Sequence, residues 1–257
     1  MIKLATPISH LFENSDYEKI IMDNSDVFEC RDRSIDSMID NQVLFHCELQ
    51  PIHEWSDEEW SFLKKIKDTK PDLSLITFHL ASCCDKPILV DNMFELGGRD
   101  YSKDEMFNYA KKNFTEIKKL FGSNVLIAVE NNNYYPTDAY RDVTEAGFIS
   151  KVVNDNDLKF LFDLSHARVT CYNKNINFNR YKNELPLNKA VQLHICTFGI
   201  DKDKELAYDA HNYPDEEELL EIQSLIKNYK SIEYLTVEYY RDIENLEKSL
   251  KRVKELA

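Results

Sequence analysis

The sequence predicts an α/β protein, a single-domain (βα)8 barrel of the TIM-barrel architecture spanning residues 1–257. Three observations predict it. Eight short apolar runs of strand character alternate with amphipathic, charge-rich stretches from one end to the other. Most of the runs are near-continuously apolar rather than alternating, as strands buried on both faces require. The 257 residues fit seven crossovers and a final helix, and no linker rich in Pro, Gly or Ser divides them.

The strand runs are Ile2–Ile8, Val27–Cys30, Gln42–Cys47, Leu73–His79, Val125–Glu130, Lys159–Asp163, Val191–Ile195 and Tyr234–Glu238. The helices between them carry start signals. Ser56–Ile66 opens Ser-Asp-Glu-Glu, a Ser cap with acids in the first turn. Ser102–Phe121 opens on a capping box and is followed by Gly122. Thr144–Val153, Asp215–Tyr229 and Ile243–Leu256 complete the later helices, with shorter ones expected near 15–23 and 33–39. The stretches 80–101, 131–142, 167–190 and 196–214 read as irregular. Each follows a strand, so in a barrel they build the C-terminal, catalytic face.

Composition excludes several classes. Hydrophobic residues are 43% and charged residues 30%, which suits a packed core rather than a disordered chain. The net charge of −14, from 32 basic and 46 acidic residues, repels phosphate backbones and argues against nucleic acid as a partner. No apolar run approaches the ~18 residues a membrane helix needs, so no membrane role is expected. The opening MIKLATPISH lacks the apolar run of a secretory signal, and a cytoplasmic location is expected. Cys30, Cys47, Cys83, Cys84, Cys171 and Cys196 fit no CxxC framework and read as reduced thiols, most of them packing as small hydrophobes. With five glycines and neither GxGxxG nor GxxxxGK[ST], a Gly-rich phosphate cradle is absent.

The chemistry lies in the strand ends. His46 lies near the end of the third run, and His79, Glu130 and Asp163 end the fourth, fifth and sixth. His166 follows Asp163 by three residues, and His194 sits near the end of the seventh run. Asp209 and His211 form a D-x-H pair in the next loop, and Glu238 ends the eighth run. Barrel strands deliver their ends to one mouth, so these nine side chains converge despite their separation in sequence. Imidazole and carboxylate ligands suit Fe, Mn, Zn or Co, and nine exceed the needs of one ion. Two to three metal ions are therefore expected, with Glu130 and Glu238 the hardest to explain otherwise, since each caps an apolar run. His10 could line the mouth, whereas His53 is expected on a surface loop. Asn131 and Arg168 are candidate substrate contacts. The alternatives are a simple turn at 131–136 and an ion pair for Arg168. Cys83, Cys84, Cys171 and Cys196 fall on the catalytic-face side.

This ligand order resembles that of xylose-isomerase-like and endonuclease-IV-like TIM barrels, over the third to eighth strands. The intervening segments narrow it. Glu130-Asn131 with Tyr135, Glu145-Ala146-Gly147-Phe148-Ile149, Val169-Thr170-Cys171-Tyr172-Asn173, Leu185-Pro186-Leu187 and Asp209-Ala210-His211-Asn212-Tyr213-Pro214 resemble the multinuclear non-heme iron-dependent oxidases. That family includes the methanobactin-type peptide-modifying enzymes, and the resemblance covers roughly residues 40–250. The chain departs from it after His46, where Cys47-Glu48-Leu49-Gln50 replaces a Gly-rich segment. The resemblance implies an oxidase or oxygenase acting on a peptide, typically at cysteine, with a partner protein that presents it. It favours iron, with zinc or manganese as alternatives. Two other activities remain in view: an endonuclease-IV-like phosphoester hydrolase and a sugar (phosphate) isomerase or epimerase. The latter leaves His46, His79, Asp209 and His211 without a role.

Overall fold

The computed structural model describes residues 2–256, and eight parallel strands close into a barrel. These are β1 (Lys3–Pro7), β2 (Val27–Arg31), β3 (Leu44–Cys47), β4 (Leu75–Phe78), β7 (Leu126–Glu130), β8 (Lys159–Asp163), β9 (Ala190–Ile195) and β12 (Tyr234–Val237). Two hairpins, β5 (Ile88–Val90) with β6 (Met93–Glu95) and β10 (Thr197–Asp201) with β11 (Leu206–Asn212), stand outside the barrel sheet. The helices are α1 (Ser15–Asn24), α2 (Asp57–Thr69), α3 (Lys103–Phe121), α4 (Ala146–Asp155), α5 (Leu164–Lys174), α6 (Phe178–Glu184), α7 (Glu216–Asn228) and α8 (Ile243–Lys254).

Strand alternation sorts the barrel residues into two sets. The outward set, including Phe28, Phe45, Phe78, Val129, Phe160, Phe162, Leu193 and Val237, is buried beneath the helices in the main core. Each such side chain contributes about 1.5–3 kcal/mol by leaving water. The inward set fills the barrel in layers. Ala5, Val27, Leu44, Leu75, Ala128 and Tyr234 form an apolar layer near the strand starts. Two residues further along the same faces come Glu29, Thr77, Glu130 and Thr236, all at most 1% exposed. Register then sets Arg31 beside His46, Asp163 beside His194 and His194 beside Thr236. The polar residues are thus gathered at the C-terminal mouth.

Local signals account for the helix starts. Ser56 and Ser102 each accept from backbone N–H groups of α2 and α3 while Glu59 and Glu105 reach back, completing two capping boxes. Gly122 closes α3 at φ 72°, a backbone region glycine enters without strain. Asp215 and Asp242 cap α7 and α8.

Three expectations are corrected. The stretch near 33–39 holds only a short 3-10 turn, Asp32–Ser34, because Ser34 turns back to bond Arg31. Residues 167–190 are largely helical, as α5 and α6. Seven residues of α5, from Leu164 to Cys171, are buried around the helix, so it shows no amphipathic stripe. The loops 80–101 and 196–214 carry hairpins, and Gly199 makes room in the second. A Cβ there would lie 2.5 Å from the Tyr208 ring. No helix among the described residues is long and apolar enough to cross a membrane.

Candidate metal centre

The nine strand-end and loop residues meet at the barrel mouth. His46 Nε2 and His79 Nε2 are 2.6 Å apart, and each lies 3.5 Å from Glu130 Oε2. The other Glu130 oxygen lies 3.6 Å from His166 Nδ1 and 3.5 Å from His194 Nδ1. Asp163 Oδ2 stands 3.8 Å from His166 Nδ1 and 3.7 Å from His194 Nδ1. His194 Nδ1 also faces Glu238 Oε1 at 3.3 Å. The D-x-H pair closes the ring: Asp209 Oδ2 is 3.4 Å from His166 Nε2 and 3.1 Å from His211 Nε2, which lies 3.7 Å from Glu238 Oε2. His211 holds φ 43°, in the left-handed region, and its imidazole faces Asp209 and Glu238.

Four overlapping groups in this set could each hold a metal ion: His46–His79–Glu130, Glu130–Asp163–His166, Asp163–His194–Glu238 and Glu29–His46–His194. Unmet polar atoms test the fit. Among the described residues, both Glu130 oxygens, Asp163 Oδ2 and His194 Nδ1 are buried without a hydrogen-bond partner. Leaving such groups unpaired costs about 1–3 kcal/mol each. A cation between them removes that cost. Ligands of one ion at ~2.1 Å lie roughly 3 Å apart, the order of the spacings found here.

Electrostatics follow from burial and crowding. Burial first, then the neighbouring Asp163 charge, pushes the Glu130 carboxyl up to about 8. Burial and the His166 charge press His79 down to about 3. Burial alone would depress His166, but the Asp163 and Glu130 carboxylates hold it well above the ordinary imidazole range. Burial likewise opposes ionisation of Asp209, yet His166 and His211 hold it at about 2. Titratable groups pushed this far apart in one cleft are characteristic of functional sites.

A cavity of about 550 Å3 opens over the cluster, where His79, His166 and Asp209 meet Asn132, Tyr135 and Tyr208. Asn131 does not face it. Its amide is fully buried and pairs with the Asp163 backbone through two bonds, of 2.8 and 2.9 Å. Arg168 is likewise turned away, bonded to Glu217 at 2.7 Å and stacked over Phe178 at 4.1 Å. In this structure Asn131 ties β7 to β8, and Arg168 makes the ion pair given as its alternative. His53, expected on the surface, is 4% exposed, bonded to Ser82 O at 2.9 Å and stacked on Tyr101. His10 lines a separate cavity of about 600 Å3 beside Tyr240. All six cysteines are free and buried, and Cys196 Sγ is 3.6 Å from Asp209 Oδ1.

Sequence reasoning passed over Glu29, Arg31, Gln192 and Tyr240. Arg31 joins Glu29 and Glu238 in one buried ion pair network, and the Tyr240 hydroxyl lies 3.2 Å from Glu238 Oε1. A Glu inside the apolar run Val-Phe-Glu-Cys was the available signal, since a buried carboxylate demands partners.

Fold and cluster together define a TIM barrel with a ring of His, Asp and Glu side chains at its C-terminal mouth. Solved structures agree on the fold. The 3-keto-D-glucoside 4-epimerase YcjR from E. coli superposes with a TM-score of 0.62 at 12% identity, over 100% of this chain and 99% of that one. A putative xylose isomerase from Rhodospirillum rubrum gives 0.60 at 12% identity, over 100% and 98%. D-psicose 3-epimerase from Clostridium cellulolyticum H10 gives 0.56 at 12% identity, over 99% and 97%. The chain itself belongs to the RiPP precursor modification enzymes MbnB/TglH/ChrH, whose family pattern it matches over residues 56–257. A curated relative, UPF0276 protein VP3015 of Vibrio parahaemolyticus, is 26% identical over 129 residues. That alignment spans 49% of this chain and 44% of the relative, less than half the length of either.

Proposed function

We propose that the protein is a cytoplasmic, single-domain, iron-dependent oxidase or oxygenase that modifies a ribosomally made peptide at cysteine. The observation that carries this reading is the shared use of Glu130. Its two oxygens face different histidine groups, His46 and His79 on one side, His166 and His194 on the other. A bridging carboxylate of this kind suits two or three ions rather than one. In this reading His46, His79, Glu130, Asp163, His166, His194, Asp209, His211 and Glu238 are the ligands.

When bound, iron supplies one-electron chemistry with O2. The rest falls to the chain. The cavity admits a peptide side chain to His79, His166 and Asp209, and Asn132, Tyr135 and Tyr208 are placed to orient it. Burial of Glu130, Asp163 and His194, each 0% exposed, keeps water from the cluster's inner side. The Asn131 clamp on the Asp163 backbone fixes that carboxylate, and Asp163 Oδ1 accepts the His166 N–H at 2.7 Å, starting α5. A partner protein that presents the peptide belongs to this proposal, drawn from the family.

Elemental analysis of protein purified under nitrogen without added metal tests it. Two to three irons per chain support the oxidase. Two to three zincs transfer support to phosphoester hydrolysis, one exchangeable divalent ion to an isomerase or epimerase. No metal after reconstitution overturns the site.

A further inference from the structure

Glu29 lies on β2, faces the barrel interior and is 1% exposed. It differs from Glu130 in one decisive respect: its oxygens are already satisfied. Oε2 accepts from Gln192 Nε2 at 2.6 Å and from His194 Nε2 at 2.9 Å, and Oε1 accepts from Arg31 at 3.0 Å. Thr236 Oγ1 stands 3.4 Å away. The donors come from β2, β9 and β12, so the carboxylate is held by three strands. A carboxylate with its lone pairs filled and its charge met by Arg31 has little left to offer an ion.

An imidazole whose Nε2–H is held by a carboxylate presents Nδ1 as its lone pair. His194 Nδ1 is buried, lacks a hydrogen-bond partner among the described residues, and faces Glu238, Glu130 and Asp163. We infer that Glu29 is a positioning residue for the metal centre: it fixes His194 with Nδ1 toward the ion at the Asp163–His194–Glu238 group. Arg31 couples this to a second ligand, because the same guanidinium bonds both Glu29 and Glu238. Glu29 is therefore support rather than a ligand, although it also lies within reach of His46 and His194. The inference rests on the cluster holding metal.

The test titrates cobalt(II) into the full-length, chelator-stripped wild type and into Glu29→Leu, Glu29→Gln and His194→Ala. Affinity is followed against a chromogenic chelator and geometry by the visible absorption of bound cobalt. Losing an outer partner of a histidine ligand typically weakens metal binding by about 10–100-fold. Glu29→Leu should therefore bind as many ions as wild type at saturation, one of them about 10–100-fold more weakly and with a changed spectrum. Glu29→Gln keeps an acceptor for Nε2–H and should fall between the two. If Glu29→Leu does not fold, Glu29→Asp, which keeps the charge but shortens the reach, must show the same weakening. Loss of a whole ion, matching His194→Ala, would make Glu29 a ligand and overturn the inference. Unchanged affinity and spectrum would reduce it to packing and overturn it too. A wild type that binds no metal is a different failure, one that removes the centre itself.

Discussion

Replacing Glu130 by glutamine should move metal binding and metal-free stability in opposite directions. The carboxyl is 0% exposed and crowded by Asp163, which lifts its folded pKa from 4.5 to about 8. The unfolded chain releases this proton near 4.5, whereas the folded metal-free chain keeps it until about 8. Across that window the unfolded state binds fewer protons, so stability falls as pH rises. At 1.36 kcal/mol per unit, the cost at pH 7 is about 3 kcal/mol. Glutamine has nearly the same shape and no proton to lose. Metal-free Glu130→Gln should therefore be about 3 kcal/mol more stable than wild type at pH 7 and about equal to it below pH 4. The same change removes the shared ligand and should cost at least one ion. Urea unfolding of chelator-treated proteins at pH 4 and 7, read by circular dichroism, gives the first quantity; elemental analysis gives the second. A less stable variant at pH 7, or one that keeps its full metal complement, refutes the reasoning.

Three further predictions follow from named contacts. His46→Ala and His79→Ala should each lose the ion held with Glu130, and the double variant should lose no more than either; additive loss in elemental analysis would place the two histidines on different ions. His53, pressed by burial down to about 4, takes up its proton later than the unfolded chain. Wild type should thus lose about 3 kcal/mol as pH falls from 7 through 4. His53→Gln should lack that loss and keep its metal, and parallel urea-unfolding profiles would count against the buried placement. Asn131→Ala strips the buried Asp163 N–H and C=O of their partners and should destabilise the protein by about 2–4 kcal/mol; a change under half a unit in urea unfolding would show the clamp to be dispensable.

The convergence of the strand-end residues was legible because their chemistry violates the pattern around them. A His, Asp or Glu at the end of an apolar run stands out, and the alternation of a strand tells which face it joins. Glu29 escaped that rule because it stands inside the second run rather than at its end, although the inward series Val27, Glu29, Arg31 carries it to the mouth. The helix α5 was illegible for a different reason. Helix periodicity reports a boundary with water, and α5 lies packed between α6 and the second hairpin. His53 deceived because the segment after β3 folds inward, where Asn113 bonds the Pro51 and His53 carbonyls. That contact joins residues 60 apart, and no local pattern announces it. The ion pair offered for Arg168 could be named without its partner, because the acid, Glu217, lies far along the chain on α7.

The spread of the ring over β3, β4, β7, β8, β9 and β12 also bears on how the molecule comes into being. The Asp163–His194–Glu238 group in particular cannot assemble early, because Glu238 reaches it only when the last strand has docked against β9 and β1. An ion held by that group would be captured late, by a finished barrel. Such an ion would staple strands made far apart in time, and unfolding would have to eject it before the sheet could open.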